Sequence, residues 1–174
     1  TYQLAGPLVP RHTTMVTAWD IPRNPLTDIT LGDSENAKQI RRGFRLFTAT
    51  PTETPRLTPS DMTCGNCHLN AGQRELALPL VGAAGMFPEY NRRAGRMFTL
   101  EDRIVGCFMR SENSVGATDV DGEIVAPAPD FEEVEALAAY ITWLSNDYPV
   151  GQNPPWRKQN RIVDDALVSI DQLD

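Results

Sequence analysis

At 174 residues the chain is one domain's worth of sequence, with 41% hydrophobic and 22% charged residues, the balance of a soluble globular protein. Lys and Arg number 16 against 23 Asp and Glu, and the resulting formal charge of −7 excludes a general nucleic-acid binder. The longest weakly polar run, residues 76–87, is broken by Pro79, Gly82 and Gly85, and falls short of the ~20 apolar residues that a transmembrane helix needs.

Residues 1–32 carry Pro7, Pro10, Pro22 and Pro25 without sustained periodicity and predict an extended N-terminal arm, wrapped on the domain through Trp19. Asp33 or Ser34 can cap a first helix whose apolar face holds Ile40, Phe44 and Phe47, with Pro51 and Pro55 ending it. A cysteine-bearing segment follows at 64–68. The Pro- and Gly-rich stretch 76–98 suits a loop lining a cavity. Thr99 and Asp102 have the capping-box spacing and open a second helix through "TLEDRIVGCFMRSEN", expected to stop near Gly116. Asp130 is placed to cap a third helix, with Phe131, Val134, Leu137, Ala138, Ile141 and Leu144 on one stripe. Residues 151–174 read as a polar tail or linker, leaving 33–150 as an all-α domain. Aromatic residues are only 7%, thin for such a core unless another group fills it. Fourteen of the 16 basic residues are Arg, and Arg92, Arg93, Arg96, Arg103 and Arg110 lie within 19 positions. Taken alone, guanidinium groups gathered in this way read first as solvated helix faces and salt bridges, with an anionic ligand as the alternative.

Cys64-Gly65-Asn66-Cys67-His68 is a C-x-x-C-H sequence, the attachment signature of haem c. One short turn presents two sulfurs for thioether bonds to the vinyl groups and an imidazole as proximal iron ligand. With so few Cys and His in the chain, about 6 such matches in ten thousand are expected by chance. A zinc site would need more ligands than Cys107 and His12 supply, and no βαβ pattern accompanies the motif as it would in a dithiol redox protein. One covalently attached haem c is therefore expected, and with it an exported, periplasmic location, because this attachment takes place outside the cytoplasm. No signal segment opens the chain, so an export signal is expected to have been removed.

The distal iron ligand stays open on residue chemistry alone. Met62, Met86, Met97 and Met109 are candidates, His12 lies in the arm, and Cys107 is the odd cysteine. Arg103, Cys107 and Ser111 are spaced four apart and share one helical stripe, and a neighbouring guanidinium favours a thiolate.

"CGNCHLNAG", "PEYNRRAG", "TLEDRIVGCFMRSEN" and "LAAYITWLS", in this order, resemble the N-terminal haem domain of the thiosulfate dehydrogenase family, related to the cysteine-ligated cytochromes of the sulfur-oxidising system. "LGDSENAKQIRRGFRLFTAT" resembles the family's segment ahead of the haem motif, and the likeness spans roughly residues 19–174. The resemblance implies a cytochrome c-like fold with His68 and Cys107 as axial ligands. It also implies an anion pocket of Arg93, Arg103 and Ser111 on the Cys107 side, and a Cys107 placed on both iron and pocket is a candidate for the reacting sulfur. The implied reaction couples thiosulfate to tetrathionate. Glu112-Asn113-Ser114 departs from the family pattern after the Arg-Ser pair. Family members carry a second C-x-x-C-H domain, and this chain ends about where it would begin. The expected electron acceptor is such a domain or a separate c-type cytochrome. The alternative reading is a non-catalytic monohaem carrier using the acidic face of 112–147 for docking.

Overall fold

The computed structural model describes residues 23–74, 77–114, 122–123, 126–151 and 154. His12, Trp19, Gly116, nearly all of the expected arm and most of the expected tail lie outside the described residues. The described part is helical apart from one small hairpin, in agreement with the all-α expectation. Six α-segments run in order: α1 (Glu35–Thr48), α2 (Thr50–Glu53), α3 (Cys64–Cys67), α4 (Leu69–Gly72), α5 (Leu100–Arg110) and α6 (Glu132–Leu144). Between α4 and α5 stand a 3-10 turn at Ala83–Met86 and the strands β1 (Glu89–Asn91) and β2 (Arg96–Phe98). The strands pair antiparallel, Tyr90 opposite Met97. The hairpin interrupts what the sequence predicts as continuous loop.

α1 starts where the Ser34 hydroxyl accepts the Ala37 N–H, satisfying one of the free donors of the first turn. Its buried face holds Ile40, Phe44 and Phe47 as expected. Pro51 does more than end α1: it sits in the first turn of α2, where a missing N–H costs nothing. α5 carries both halves of the capping box, Thr99 Oγ1 accepting the Asp102 N–H at 3.2 Å and the Asp102 carboxylate accepting the Thr99 N–H at 3.0 Å. It ends at Arg110, short of the expected Gly116. Asn113 takes a left-handed φ of 55°, and the Ser114 hydroxyl, fully buried, donates to the Leu57 carbonyl. That tertiary bond draws the chain away from the helix axis. Asp130 does not cap α6. Phe131 stands at the N-cap position with no side-chain bond, and Glu132, Glu133 and Glu135 in the first turn complement the helix dipole instead.

α1 and α6 cross at very short range, and the crossing organises the core. A Cβ on Gly43 would lie 1.9 Å from the Ala136 carbonyl oxygen and 2.8 Å from the Tyr140 Cβ. Only a glycine lets the helices approach this closely. Phe44 and Phe47 then meet the Tyr140 ring edge-on at 5.5 and 5.6 Å between centroids, and the Tyr140 hydroxyl donates to the Ala71 carbonyl at 2.7 Å. Glu133, buried on α6, accepts from Arg56 Nε at 3.1 Å and from Arg56 Nη2 at 3.0 Å, which fastens the segment after α2. No helix among the described residues is long and apolar enough to cross a membrane.

Gly43→Ala should lower the urea midpoint of the haem-loaded chain at unchanged m-value. Helix propensity favours Ala by about 1 kcal/mol, but an overpacked contact costs about 1–3 kcal/mol and here opposes a backbone oxygen. A midpoint equal to or above that of the wild type would contradict the close crossing.

Candidate functional site

The C-x-x-C-H segment is built as a single turn fixed at both ends. Asn66 Oδ1 accepts the Thr63 N–H at 2.6 Å and the Thr63 hydroxyl at 3.0 Å. Thr50, fully buried, accepts the Cys64 N–H at 3.2 Å and donates its hydroxyl to the Cys64 sulfur at 3.6 Å. His68 leaves helical geometry, with φ −102° and ψ 79°. Asn70 and Ala71 then coil left-handed, which reverses the chain beneath the imidazole. The His68 Nδ1 lies 2.6 Å from the Leu78 carbonyl oxygen. A carbonyl only accepts, so this contact assigns the proton to Nδ1 and leaves the lone pair on Nε2, the tautomer a metal-ligating histidine needs. Leu78 itself has φ 50°, an uncommon conformation for leucine that aims its carbonyl at the ring.

The turn opens onto a cleft of about 290 Å³. Its apolar wall includes Phe47 and Leu80 together with Ile104, Phe108, Leu137 and Ile141 from α5 and α6. Cys64, Cys67 and His68 enter it from the motif, and Arg103, Cys107 and Ser111 from α5. Six of the seven residues singled out in the sequence therefore share one cavity. Arg93 is the seventh. It is exposed in the turn between β1 and β2, held through its N–H to Asn91 Oδ1 at 3.0 Å, and is not among the residues lining the cleft. The hairpin is tied to α5 by Arg96, whose guanidinium holds the Asp102 carboxyl down to about 2. Of the methionines considered as distal ligands, Met86 lines the cleft, whereas Met62, Met97 and Met109 do not.

Electrostatics in the cleft are governed by desolvation. Burial pushes the Cys64 thiol up to about 12. It also raises the Cys107 thiol, and the opposing charges of Arg103 and Arg110 do not cancel it. The expected pull of the Arg103 guanidinium toward the thiolate is present but smaller than the effect of burial. A metal on the Cys107 sulfur would deprotonate it outright. Burial likewise lowers His68 and keeps its imidazole neutral. Glu112, which the sequence marks as a departure from pattern and as the start of an acidic face, is 3% exposed and lines the cleft. Its Oε2 has no hydrogen-bond partner and burial raises the carboxyl to about 7. No periodicity or spacing signals a buried acid after a helix end.

The donor set fits haem c. Two thiols beside a neutral imidazole with its Nε2 free and an apolar wall suit a covalently held porphyrin, and a third sulfur, Cys107 on α5, lines the same cleft.

Residues 54–150 match the SoxA/TsdA cytochrome c domain family. Thiosulfate dehydrogenase of Psychrobacter arcticus is 33% identical over 125 residues, covering 72% of this chain and 35% of that protein. The Allochromatium vinosum thiosulfate dehydrogenase is 37% identical over 125 residues, covering 70% and 43%. Among solved structures, thiosulfate dehydrogenase (TsdBA) of Marichromatium purpuratum superposes with a TM-score of 0.62 at 32% identity, over 70% of this chain and 25% of that one. The chain thus spans roughly a third to two fifths of the length of these curated relatives.

Glu112 also makes stability pH-dependent. Its carboxyl titrates near 7 in the folded chain against 4.5 for the ordinary group, so the folded state holds a proton the unfolded state has released. This contribution is fully present below about 4.5 and lost as pH rises through about 7. Between pH 5 and 8 the urea midpoint should fall more for the wild type than for Glu112→Gln. Equal falls would place the carboxyl in water.

Proposed function

The chain belongs to the SoxA/TsdA cytochrome c domain family, and on that premise we propose that it oxidises thiosulfate to tetrathionate at one covalently bound haem c with His68 and Cys107 as axial ligands. The setting is the periplasm, and the electrons pass to a further haem domain or a separate c-type cytochrome. The observation that carries this reading is the convergence of His68, Cys107, Arg103 and Ser111 on a single apolar cleft beside both motif cysteines.

Cys64 and Cys67 supply the thioether sulfurs. His68 presents Nε2 because Leu78 occupies its Nδ1 proton. Bound in this cleft, the haem supplies a one-electron acceptor whose potential a thiolate ligand lowers relative to methionine. Arg103 and the Ser111 hydroxyl face the same cavity and hold the sulfonate of the incoming dianion. Arg93 adds a cation from the hairpin turn that Arg96 fastens to α5. Cys107 serves as reacting sulfur. Its thiolate and the outer sulfur of one thiosulfate lose two electrons and form an S–S bond. The outer sulfur of a second thiosulfate then attacks the sulfur bound to Cys107, giving tetrathionate and returning the thiolate. The sum is two thiosulfate dianions to one tetrathionate dianion and two electrons, with no proton moved.

The haem should survive denaturing electrophoresis and resist acid acetone. Ferric wild-type protein should give a low-spin thiolate signal in electron paramagnetic resonance that disappears in Cys107→Ala. A signal unchanged in that variant but altered in Met86→Ala would make the chain a His/Met carrier.

Steady-state kinetics separates the enzyme from the carrier. Cys107→Met should stay folded and gain potential yet lose nearly all tetrathionate formation. Arg103→Gln should keep the haem spectrum and raise KM roughly ten- to a hundredfold, the loss of a charged hydrogen bond of ~1.5–3 kcal/mol. Full activity in Cys107→Met would leave electron carriage as the function.

A further inference from the structure

Arg103 has a counterpart on α5. Arg110 lies seven residues further on, almost two complete turns, so at 100° per residue the two guanidinium stems leave the helix within about 20° of each other. Their Cα atoms are about 10.5 Å apart along the axis, with Cys107 between them, about 6 Å above Arg103 and 4.5 Å below Arg110. Ser111 stands on the other flank of the cysteine. Both arginines are exposed, and of the two Arg103 lines the cleft while Arg110 does not. The ion pairs of the described residues engage Arg23, Arg41, Arg42, Arg45, Arg56 and Arg96, and none of them engages Arg103 or Arg110. Both charges act on the Cys107 sulfur, lowering the thiol against the effect of burial. In a chain of net charge −7, two guanidinium groups with no ion pair among the described residues, bracketing one sulfur, mark a place where negative charge is received.

The chemistry asks for two such cations. Thiosulfate ends in one sulfonate and tetrathionate in two, one at each end of a sulfur chain. Joining two dianions brings their charges together, so Arg103 as the one α5 cation beside the sulfur would hold the first and repel the second, with Arg93 adding charge from the hairpin turn.

We propose that Arg110 binds the second sulfonate. Arg103 holds the sulfonate of the thiosulfate joined to Cys107, and Arg110, on the same stripe past the cysteine, holds that of the attacking thiosulfate, so that the outer sulfurs meet beside Cys107. The S–S bond between the two outer sulfurs forms as the bond to Cys107 breaks, and its electron pair returns to the thiolate. The two electrons removed earlier have gone to one-electron haem acceptors. This assignment rests on the thiosulfate reading above. It also separates Arg110 from the ordinary role of a basic residue in a last helical turn, which is to offset the helix dipole and affects stability alone.

The test uses the haem-loaded chain in its oxidised form, titrated calorimetrically with tetrathionate and, separately, with sulfite, a dianion with one sulfur centre. Arg110→Gln should weaken tetrathionate binding roughly ten- to a hundredfold, the loss of one charged hydrogen-bonding group, and leave sulfite binding within about twofold. Arg103→Gln should weaken both. Arg110→Lys should recover part of the tetrathionate affinity, through charge without the planar fork. Unchanged tetrathionate binding in Arg110→Gln overturns the assignment, as does a parallel loss of both anions. A lower melting temperature with wild-type tetrathionate affinity would reduce Arg110 to a helix-end charge. Failure of the wild type to bind either anion, or to form tetrathionate with an artificial acceptor, would instead overturn the thiosulfate reading.

Discussion

Everything about the cleft depends on how closely α1 and α6 approach at Gly43. The absence of a side chain there lets the Ala136 carbonyl occupy the space a Cβ would take. The approach sets Phe47 of α1 beside Leu137 and Ile141 of α6 in one apolar wall. The same crossing places Tyr140 where its hydroxyl reaches the Ala71 carbonyl, in the left-handed turn that reverses the chain after His68. Helix packing and ligand orientation are thus mechanically joined. A change in the crossing would move the wall and the imidazole together.

Within that frame, polar groups are spent on aiming rather than on bulk stability. Thr50 fixes Cys64, Asn66 fixes the start of the turn, and Leu78 accepts a strained conformation so that its carbonyl can select the His68 tautomer. These bonds surround a site whose two sulfurs and imidazole are all driven by burial toward their neutral forms. A metal held at the Cys107 sulfur would displace its proton to solvent, while the neutral imidazole offers its lone pair without losing one. Arg103 and Arg110 act on the Cys107 sulfur with positive charge from exposed positions.

Much of this was legible in the sequence. C-x-x-C-H names its own chemistry because two sulfurs and a histidine at that spacing have few other uses. The Thr99–Asp102 capping box and the 103–107–111 stripe carry helical phase, so the convergence of Arg103, Cys107 and Ser111 follows from one helix alone. What escaped the sequence came from tertiary competition. α5 stops at Arg110 because Ser114 bonds to Leu57 far away in the chain, and α6 starts without Asp130 because acidic residues inside the first turn serve instead. The hairpin at 89–98 is too short for an alternating pattern to register. Arg93 stands on its turn, outside the cleft lining, a placement that depends on strand pairing and not on helical spacing. Glu112 was hidden for a related reason, since burial of a polar side chain is decided by what packs over it.

The central claim is that the Cys107 sulfur and the His68 imidazole hold the same iron. X-ray absorption at the iron edge of the ferric, haem-loaded chain tests this directly. One sulfur and five nitrogen scatterers are expected for the wild type, with the sulfur absent in Cys107→Ala. A shell without sulfur, or a sulfur contribution that persists in Cys107→Ala, would contradict it.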